Sequence, residues 1–212
     1  VRMKTAVTLD GRTAFPDGRS QWITGEAARA DVQFWRGRAG AVLTGIGTVL
    51  ADDPQMNVRL PDQERQPLRI VIDPRMETPP AGKLLTSKGG RVFIAAAAEY
   101  PTRRAALEAA GAEVWVLPDA AAPGRVDLRE LMRELAKREV NEVHVEAGPG
   151  LSGALFAAGL IDEMLFYYAP CLFGAGMGPA AVPLPAEPGA AYRWRLQSLD
   201  QIGGDFRVLL RR

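Results

Sequence analysis

The stretch Glu146-Ala147-Gly148-Pro149-Gly150-Leu151-Ser152-Gly153-Ala154 carries the clearest structural signal in the chain. It follows an alternating apolar run that contains Val143 and Val145, and it opens an alanine-rich, helix-like segment. This order indicates a strand, a glycine turn and a helix start. Backbone N–H groups at a helix N-terminus attract anions, and glycines let a phosphate approach them closely. The stretch therefore predicts an anion-binding turn with the carboxylate of Glu146 at its edge.

The glycines of this turn also match a dinucleotide-binding pattern. Gly148, Gly150 and Gly153 spell G-x-G-x-x-G, which normally lies in a first βαβ unit and has an acidic residue about 20 positions further on. Here the pattern comes late in the chain, and Pro170 and Cys171 stand near that place. A tight strand-to-helix connection that binds no ligand is an equal alternative on this evidence alone.

Composition narrows the class of protein. A length of 212 residues suits one large domain, and we predict a single domain over residues 1–212. The 26 basic and 25 acidic residues give a net charge of +1 without a long run of like charge, so we expect no nucleic-acid partner. The apolar runs are too short to span a bilayer, and the N-terminus lacks a signal pattern. We expect a soluble cytoplasmic protein with no membrane partner.

Metal chemistry is also unexpected. One cysteine, Cys171, and one histidine, His144, cannot complete a protein-only Cys/His zinc site, so we predict no metal. His144-Val145-Glu146 spells the H-x-E of a zinc nucleobase deaminase, but Gly174 stands where P-C-x-x-C needs a second cysteine. We predict that His144 and Cys171 are partly buried structural residues. The start at Val1 without methionine indicates a processed product or a fragment.

The order of elements predicts an α/β fold. Strand character appears at residues 3–9, 41–44, 68–72, 92–96, 113–117, 142–146, 164–169 and 206–210, and helix character at 25–38, 101–110 and 127–138. This alternation predicts a mainly parallel central sheet with flanking helices and ligands at the carboxyl ends of its strands. The last strand follows a Pro/Gly-rich stretch, residues 174–189, so we expect it to close the sheet in the antiparallel direction.

Three further segments are polar in ways that packing does not require. Lys4 lies within the apolar first strand, where it either extends to solvent or meets an anion or a polar group of a substrate. Residues 20–24 lead into a helix that carries Arg36, which by itself would be an ordinary surface arginine. Residues 45–59 form a glycine loop in which Asp52 is suited to ribose hydroxyls and Arg59 to a phosphate, with a plain solvated turn as the alternative.

These segments together resemble one family. Lys4 with residues 9–12, Ser20-Gln21-Trp22-Ile23-Thr24, residues 47–54, Ile70-Val71-Ile72-Asp73 and residues 146–149 are similar, in order and spacing, to the reductase domain of the bifunctional bacterial riboflavin-biosynthesis deaminase/reductase. The similarity runs from Arg2 to about Leu210. In that family the zinc deaminase is a separate N-terminal domain. The resemblance thus implies that this chain is the reductase half, free-standing or joined to a deaminase domain in a longer protein.

The resemblance implies a fold like that of dihydrofolate reductase and a homodimer. It also implies a reaction, in which NADPH reduces the ribosyl group of 5-amino-6-(5-phosphoribosylamino)uracil to a ribityl chain. The reaction would proceed by ring opening to an imine that accepts hydride at the former anomeric carbon. The protein's task would then be to hold nicotinamide and sugar in register and to exclude water.

Site residues follow from the resemblance position by position. The positions that match cofactor contacts are Ala6, Trp22, Thr48 and Asp52, together with the phosphate-binding turn Gly148, Pro149, Gly150, Leu151, Ser152, Gly153 and Ala154. Those that match substrate contacts are Ser20, Arg36, Met56, Arg59 and Glu146. Ser20 and the two arginines are suited to the substrate's 5′-phosphate. We expect Lys4 and Glu146 to be catalytic, orienting the opened sugar and moving protons; which of the two is the acid stays open.

One departure concerns the cofactor. Some members of the family have serine after the Ile70-Val71-Ile72-Asp73 strand, whereas this chain has Pro74, which has no side-chain donor. Arg75 beside it is our candidate for binding the 2′-phosphate of NADPH. Two alternative functions remain: dihydrofolate reductase, which would leave Ser20, Arg36 and Arg59 without a phosphate, and a non-catalytic nucleotide-binding domain, which would not need Lys4 and Glu146 together.

Overall fold

The computed structural model describes residues 1–20, 22–61, 63 and 65–212. In chain order its elements are β1 (Arg2–Thr8), α1 (Glu26–Arg38), β2 (Ala41–Gly45), α2 (Ile46–Asp52), β3 (Leu68–Ile72), α3 (Lys83–Thr86), β4 (Val92–Ala96), α4 (Pro101–Ala109), β5 (Ala112–Val116), α5 (Leu128–Lys137), β6 (Val143–Val145), α6 (Pro149–Ala157), β7 (Glu163–Ala169), a 3₁₀ turn (Pro188–Ala190), β8 (Arg195–Ile202) and β9 (Asp205–Arg211). The chain divides into two compact units. We call Val1–Val32 with Val145–Arg212 the terminal unit and Gln33–His144 the central unit.

The central unit contains four parallel strands. β2 pairs with β3, β3 with β4, and β4 with β5, all in parallel. Parallel strands need crossover connections, and their sheets are buried on both faces, which explains the continuous apolar runs of the sequence. Val42, Val71 and Ile94 are fully buried in its core. The helix predicted from residue 127 begins as expected, because the Asp127 side chain accepts from the main-chain N–H groups of Arg129 and Glu130.

The terminal unit combines both strand directions. β1 pairs with β7 in parallel, with Lys4 opposite Leu165 and Ala6 opposite Tyr167. β7 pairs with β9 in the antiparallel direction, and β9 pairs in the same way with β8. The predicted α/β class, the mainly parallel sheet and the antiparallel direction at the C-terminus are therefore confirmed.

Three helices or strands, β8, α2 and α3, were not predicted from the sequence. The antiparallel ending is a hairpin of two strands, because β8 (Arg195–Ile202) precedes the predicted last strand. Its apolar residues Leu196, Leu199 and Ile202 are three apart rather than two, and the pairing with β9 shifts register between Leu196 and Ser198. The irregularity hides the two-residue period by which strands are recognised. Residues 45–59, which we predicted to be a glycine loop, are only partly a loop, because residues 46–52 form the helix α2.

Candidate functional site

Lys4 and Glu146 lie together in the terminal unit. Lys4 is on β1, and Glu146 directly follows the last residue of β6. The Nζ atom of Lys4 lies 3.9 Å from Oε2 of Glu146, and the two side chains are 17% and 18% exposed. Lys4 and Ala6 are only partly buried, whereas Met3, Thr5 and Val7, which point to the other face of the strand, are buried. The lysine thus meets a carboxylate in a partly solvent-accessible place, where a polar ligand could reach both charges.

The glycine turn begins α6 without a side-chain cap. Gly148 occupies the N-cap position and Pro149 the first helical turn, as is common at helix starts. A Cβ atom added at Gly148 or at Gly150 would meet nothing within 4 Å. The main chain at these two glycines is therefore open, which is the condition that a phosphate needs to approach the helix N-terminus.

Gly153 has a different role from the other two glycines. A Cβ atom at this position would lie 2.3 Å from the main-chain oxygen of Ala181. The neighbouring Ser152 is buried as well, and its hydroxyl donates to the carbonyl oxygen of Ala147 at 3.3 Å. Position 153 therefore requires glycine, because the main chain of Ala181 packs closely against α6 there.

This contact reverses the usual effect of a glycine-to-alanine change in a helix. Gly153→Ala is expected to lower the free energy of unfolding by about 1–3 kcal/mol, because the methyl group overlaps main-chain atoms that cannot easily move. Gly150→Ala, in the same helix but facing open space, serves as the control and should change stability by less than about 1 kcal/mol. Chemical denaturation of both variants checks this. Equal stability of the two variants would contradict the assigned packing.

A network that the sequence analysis missed lies on the same face of the terminal unit's strands as Ala6. Tyr167, beside Ala6, donates its hydroxyl to Oδ2 of Asp31 on α1 at 2.5 Å. Arg207, paired with Tyr167 across β7 and β9, contacts both oxygens of Asp31 at 3.0 and 2.9 Å and Oδ2 of Asp200 at 2.8 Å. These contacts attach α1 to the C-terminal hairpin.

The contacts in this network shift the pKa values of Tyr167 and Asp200 in the directions that keep the tyrosine protonated and the aspartate ionised. Burial, then the hydrogen bond to Asp31, raises the pKa of the Tyr167 hydroxyl well above its ordinary value, and the negative charge of Glu146 adds to the shift. Hydrogen bonds from Arg207 and then Ser198 hold the pKa of Asp200 below its usual range. The signal that marked Lys4 as a candidate, a charged residue within an apolar strand, applies equally to Arg207, which lies on β9.

The segment before α1 presents an aromatic ring to solvent. Trp22 is 73% exposed, and the guanidinium of Arg29 lies 4.9 Å from its ring centroid. Arg29 also donates to the carbonyl of Thr24 at 2.6 Å. Ser20, the predicted substrate contact, is partly buried, while Gln21 of the same motif lies outside the described residues. The indole face of Trp22 is thus accessible to a planar ligand.

In the central unit, the predicted cofactor contacts Thr48 and Asp52 lie on the seven-residue helix α2. Thr48 is partly buried and Asp52 is exposed. The adjacent Asp53 has a structural role, since its main chain adopts a left-handed φ of 42° and its carboxylate accepts from the N–H of Lys83 at 2.7 Å. Asp52 is therefore the acidic residue of this pair that a ligand could reach.

Side chains hold the main chain of residues 55–59. Arg69, which is buried, donates to the carbonyl oxygen of Gln55 at 3.2 Å, and burial lowers the pKa of its guanidinium. Gln66 binds both main-chain groups of Val58, at 2.9 and 3.0 Å. The segment has no helix or strand of its own, so these contacts fix its shape in place of a ladder of main-chain hydrogen bonds.

The predicted substrate contacts of this segment differ in accessibility. Met56 has a φ of 53°, and its side chain is buried in the core cluster with Val42 and Val49. Only its main chain is therefore positioned to meet a ligand. Arg59 is exposed and Arg36 partly buried, and both donate to Asn57, at 3.1 Å to Oδ1 and 3.2 Å to the main-chain oxygen. The structure thus brings the two predicted arginines to one residue.

The turn after β3 carries the other predicted cofactor residues. Pro74 is partly buried; the Arg75 side chain is 67% exposed and forms an ion pair with Glu77 at 3.2 Å. The buried Asp73 accepts from both the N–H and the hydroxyl of Thr78 at 2.7 Å, which shapes the turn. Arg75 is accessible to an anion that would compete with Glu77.

The residues that sequence analysis set aside have mixed outcomes. His144 is fully buried rather than partly buried, whereas Cys171 is exposed and the prediction that it would be partly buried is wrong. Cys171 follows the end of β7, beyond the buried part of that strand. Among the residues described, no group of three His, Cys, Asp or Glu side chains is arranged to hold a metal ion. Within the same set, every helix is too short or too polar to cross a bilayer.

Comparison with known proteins places these features in a family. A family model described as the RibD C-terminal domain matches residues 1–208. The riboflavin biosynthesis protein RibD of Escherichia coli (strain K12) is 36% identical over 221 residues, which cover 97% of this chain and 58% of that protein. RibD of Bacillus amyloliquefaciens is 37% identical over 183 residues, covering 86% of this chain and 48% of that protein. The chain thus spans about half the length of these curated relatives.

Solved structures of two proteins are similar to this chain over nearly its whole length. Form 1 of Acinetobacter baumannii RibD matches with a TM-score of 0.86 and 36% identity, over 99% of this chain and 57% of that one. A diaminohydroxyphosphoribosylaminopyrimidine deaminase/5-amino-6-(5-phosphoribosylamino)uracil reductase from Thermotoga maritima matches with a TM-score of 0.79 and 26% identity, over 99% of this chain and 55% of that one. Since the family model matches nearly every residue from the N-terminus onward, the chain belongs to the RibD C-terminal domain family.

Proposed function

We propose that this chain is a single reductase domain that converts 5-amino-6-(5-phosphoribosylamino)uracil to 5-amino-6-(5-phosphoribitylamino)uracil with NADPH. The observation that carries the proposal is the Lys4–Glu146 pair, partly accessible and directly followed by an open glycine turn at the start of α6. In a member of the RibD C-terminal domain family, a pair of charges beside an anion-binding turn fits a reaction that moves a proton close to a phosphate-bearing cofactor.

The residues present fit a nicotinamide dinucleotide. The uncapped start of α6 and the open Gly148 and Gly150 offer main-chain donors to a phosphate, and the exposed indole of Trp22 offers a surface for stacking. We assign cofactor contacts to the following residues: Ala6, Trp22, Thr48, Asp52, Pro74, Arg75 and residues 148–154. When bound, NADPH supplies the hydride.

Lys4 and Glu146 act on the sugar. As the ring oxygen gains a proton, its bond to the former anomeric carbon breaks, and the electron pair of the attached nitrogen forms a C=N bond. Addition of a hydride to that carbon completes the ribityl chain, so the substrate gains one hydride and one proton in total. Lys4 and Glu146 orient the opened sugar and move this proton, while Ser20, Arg36, Arg59 and the main chain of Met56 hold the substrate.

Two associations belong to the proposal. We expect a homodimer, as the resemblance implies; Leu196 and Leu199, exposed on β8, give an apolar surface that a second copy would cover. We also expect a zinc deaminase domain to be joined to this one in a longer protein. The T. maritima structure, whose name carries both activities, and the half-length coverage of the relatives support that expectation. The cytoplasmic location stays a prediction.

NADPH preference provides a first test of the cofactor residues. Arg75→Ala is expected to lower the ratio of kcat/KM for NADPH to that for NADH by about 10-fold, because one charge-assisted contact with the 2′-phosphate is lost. Arg91→Ala, which removes another exposed arginine of the central unit, is the control. Steady-state kinetics with both cofactors check this. An unchanged ratio in Arg75→Ala would remove Arg75 from the cofactor site.

The function itself is tested by comparing substrates. Oxidation of NADPH is followed with the deaminated ribosylaminopyrimidine, with its undeaminated precursor and with dihydrofolate. We expect turnover of a pyrimidine and none of dihydrofolate. Turnover of dihydrofolate alone would favour dihydrofolate reductase, and no turnover with NADPH binding intact would favour a nucleotide-binding module. The two pyrimidines also reveal whether reduction precedes deamination.

A further inference from the structure

We propose that Asn57 is a positioning residue that sets the spacing of the two arginines assigned to the substrate phosphate, Arg36 and Arg59. This inference rests on the proposed function and adds a residue that the resemblance did not supply. It starts from the convergence of both guanidinium groups on one buried residue of the central unit, Arg59 on its neutral side chain and Arg36 on its main-chain oxygen.

The contacts fix Asn57 from several sides. Its Nδ2 atom donates to the carbonyl oxygen of Lys88 at 2.8 Å, which orients the amide so that Oδ1 accepts from Nη1 of Arg59 at 3.1 Å. Its main-chain oxygen accepts from Nη1 of Arg36 at 3.2 Å. One rigid residue therefore holds one guanidinium through its side chain and the other through its main chain.

The surrounding segment keeps Asn57 in this place. The preceding residue, Met56, has a left-handed φ of 53° and a side chain buried in the core, so the main chain has little freedom to shift. On the other side, the N–H of Arg59 donates to Oε1 of Gln33 at 3.0 Å. Arg59 is thereby held at both its main chain and its guanidinium.

The neutrality of Asn57 matters as much as its geometry. An amide oxygen orients a guanidinium without cancelling its charge, so Arg36 and Arg59 keep their attraction for a dianionic phosphate. A carboxylate of the same shape at position 57 would compete with the phosphate for Arg59, and it would face the Lys88 carbonyl with an acceptor in place of a donor. The chemistry thus favours asparagine over aspartate at a site for a phosphorylated sugar.

The test uses two nearly isosteric variants, Asn57→Asp and Asn57→Leu, and ribose 5-phosphate as the probe. Calorimetric titration of the whole chain is expected to show about 10-fold weaker binding of ribose 5-phosphate in each variant, since one charge-assisted contact is lost or redirected. NADPH affinity should stay near the wild-type value, and melting temperature should fall by only a few degrees, because the Lys88 carbonyl loses its donor. Asn141→Asp, the same chemical change at an exposed position, is the control and should bind like wild type.

Other outcomes are informative in different ways. Equal losses for ribose 5-phosphate and NADPH, or a large fall in melting temperature in both variants, would show a merely structural role and overturn the inference. Unchanged binding in Asn57→Asp, or no binding by the wild type, would overturn it as well. If the wild type reduces no pyrimidine, the proposed function is refuted. If the Asn57 variants of that same protein still bind ribose 5-phosphate more weakly than the wild type, the role of Asn57 stands.

Discussion

Glu146→Gln is expected to lower kcat/KM for the ribosylaminopyrimidine by about 100-fold or more, because a positioned acid or base contributes about 10²–10⁴-fold to such a proton transfer. The exchange keeps the shape of the side chain and removes its charge from the neighbourhood of Lys4. Lys4→Met should cause a loss of the same order. Stopped-flow or steady-state measurement of NADPH oxidation provides both values.

Controls separate chemistry from folding in this experiment. Glu187→Gln, at an exposed glutamate of the terminal unit, should retain wild-type activity. Lys4→Arg keeps the charge and should recover part of the activity if Lys4 orients the sugar through its charge alone. Of the two charge-removing variants, the one with the larger loss in kcat identifies the proton donor. Wild-type kcat in both would refute the catalytic assignment of the pair.

The second large effect is expected at Arg59. Arg59→Ala should raise KM for the phosphorylated pyrimidine by about 100-fold, because a two-pronged charged contact with phosphate is lost, and should leave KM for NADPH within a few-fold of wild type. Its guanidinium is already oriented by Asn57 and its main chain by Gln33, so little ordering is required on binding. Initial-rate kinetics with each substrate varied in turn measure the two constants.

A matched arginine controls for the change in overall charge. Arg65→Ala removes an exposed arginine from the same unit and should alter neither KM. Equal increases in KM for the pyrimidine and NADPH in Arg59→Ala would mean that Arg59 binds a phosphate of the cofactor. No increase in either would remove Arg59 from both sites.

Long apolar runs made most of the fold predictable. The strands at residues 68–72 and 92–96 have the predicted limits, because buried parallel strands are apolar along their whole length. α2 was missed because it has only seven residues and its second residue is Gly47, which weakens the local helix signal. β8 was missed because its exposed, irregular pairing leaves no alternating pattern. Elements that depend on tertiary contacts leave weak local signals.

The candidate site shows the same division. Lys4 was marked as a candidate by its place in an apolar strand and Glu146 by its place beside the glycine turn. That the two act together was implied by the family resemblance, and the structure brings them within 3.9 Å. The buried side chain of Met56 was not predictable, because its left-handed main chain depends on contacts from distant residues. The partners within the Tyr167–Asp31–Arg207 network were not predictable, because Asp31 lies more than 130 positions from the other two residues and no local pattern indicates that they meet.

The most direct test of the proposed reaction follows the hydride itself. The chain is incubated with 5-amino-6-(5-phosphoribosylamino)uracil and with NADPH in which both hydrogens on the nicotinamide C4 carbon are deuterium. The product is examined by mass spectrometry and NMR. The account predicts a ribityl product with one deuterium at its C1′ carbon and an equal amount of NADP⁺. Recovery of unreduced substrate, or a reduced product without deuterium at C1′, would contradict it.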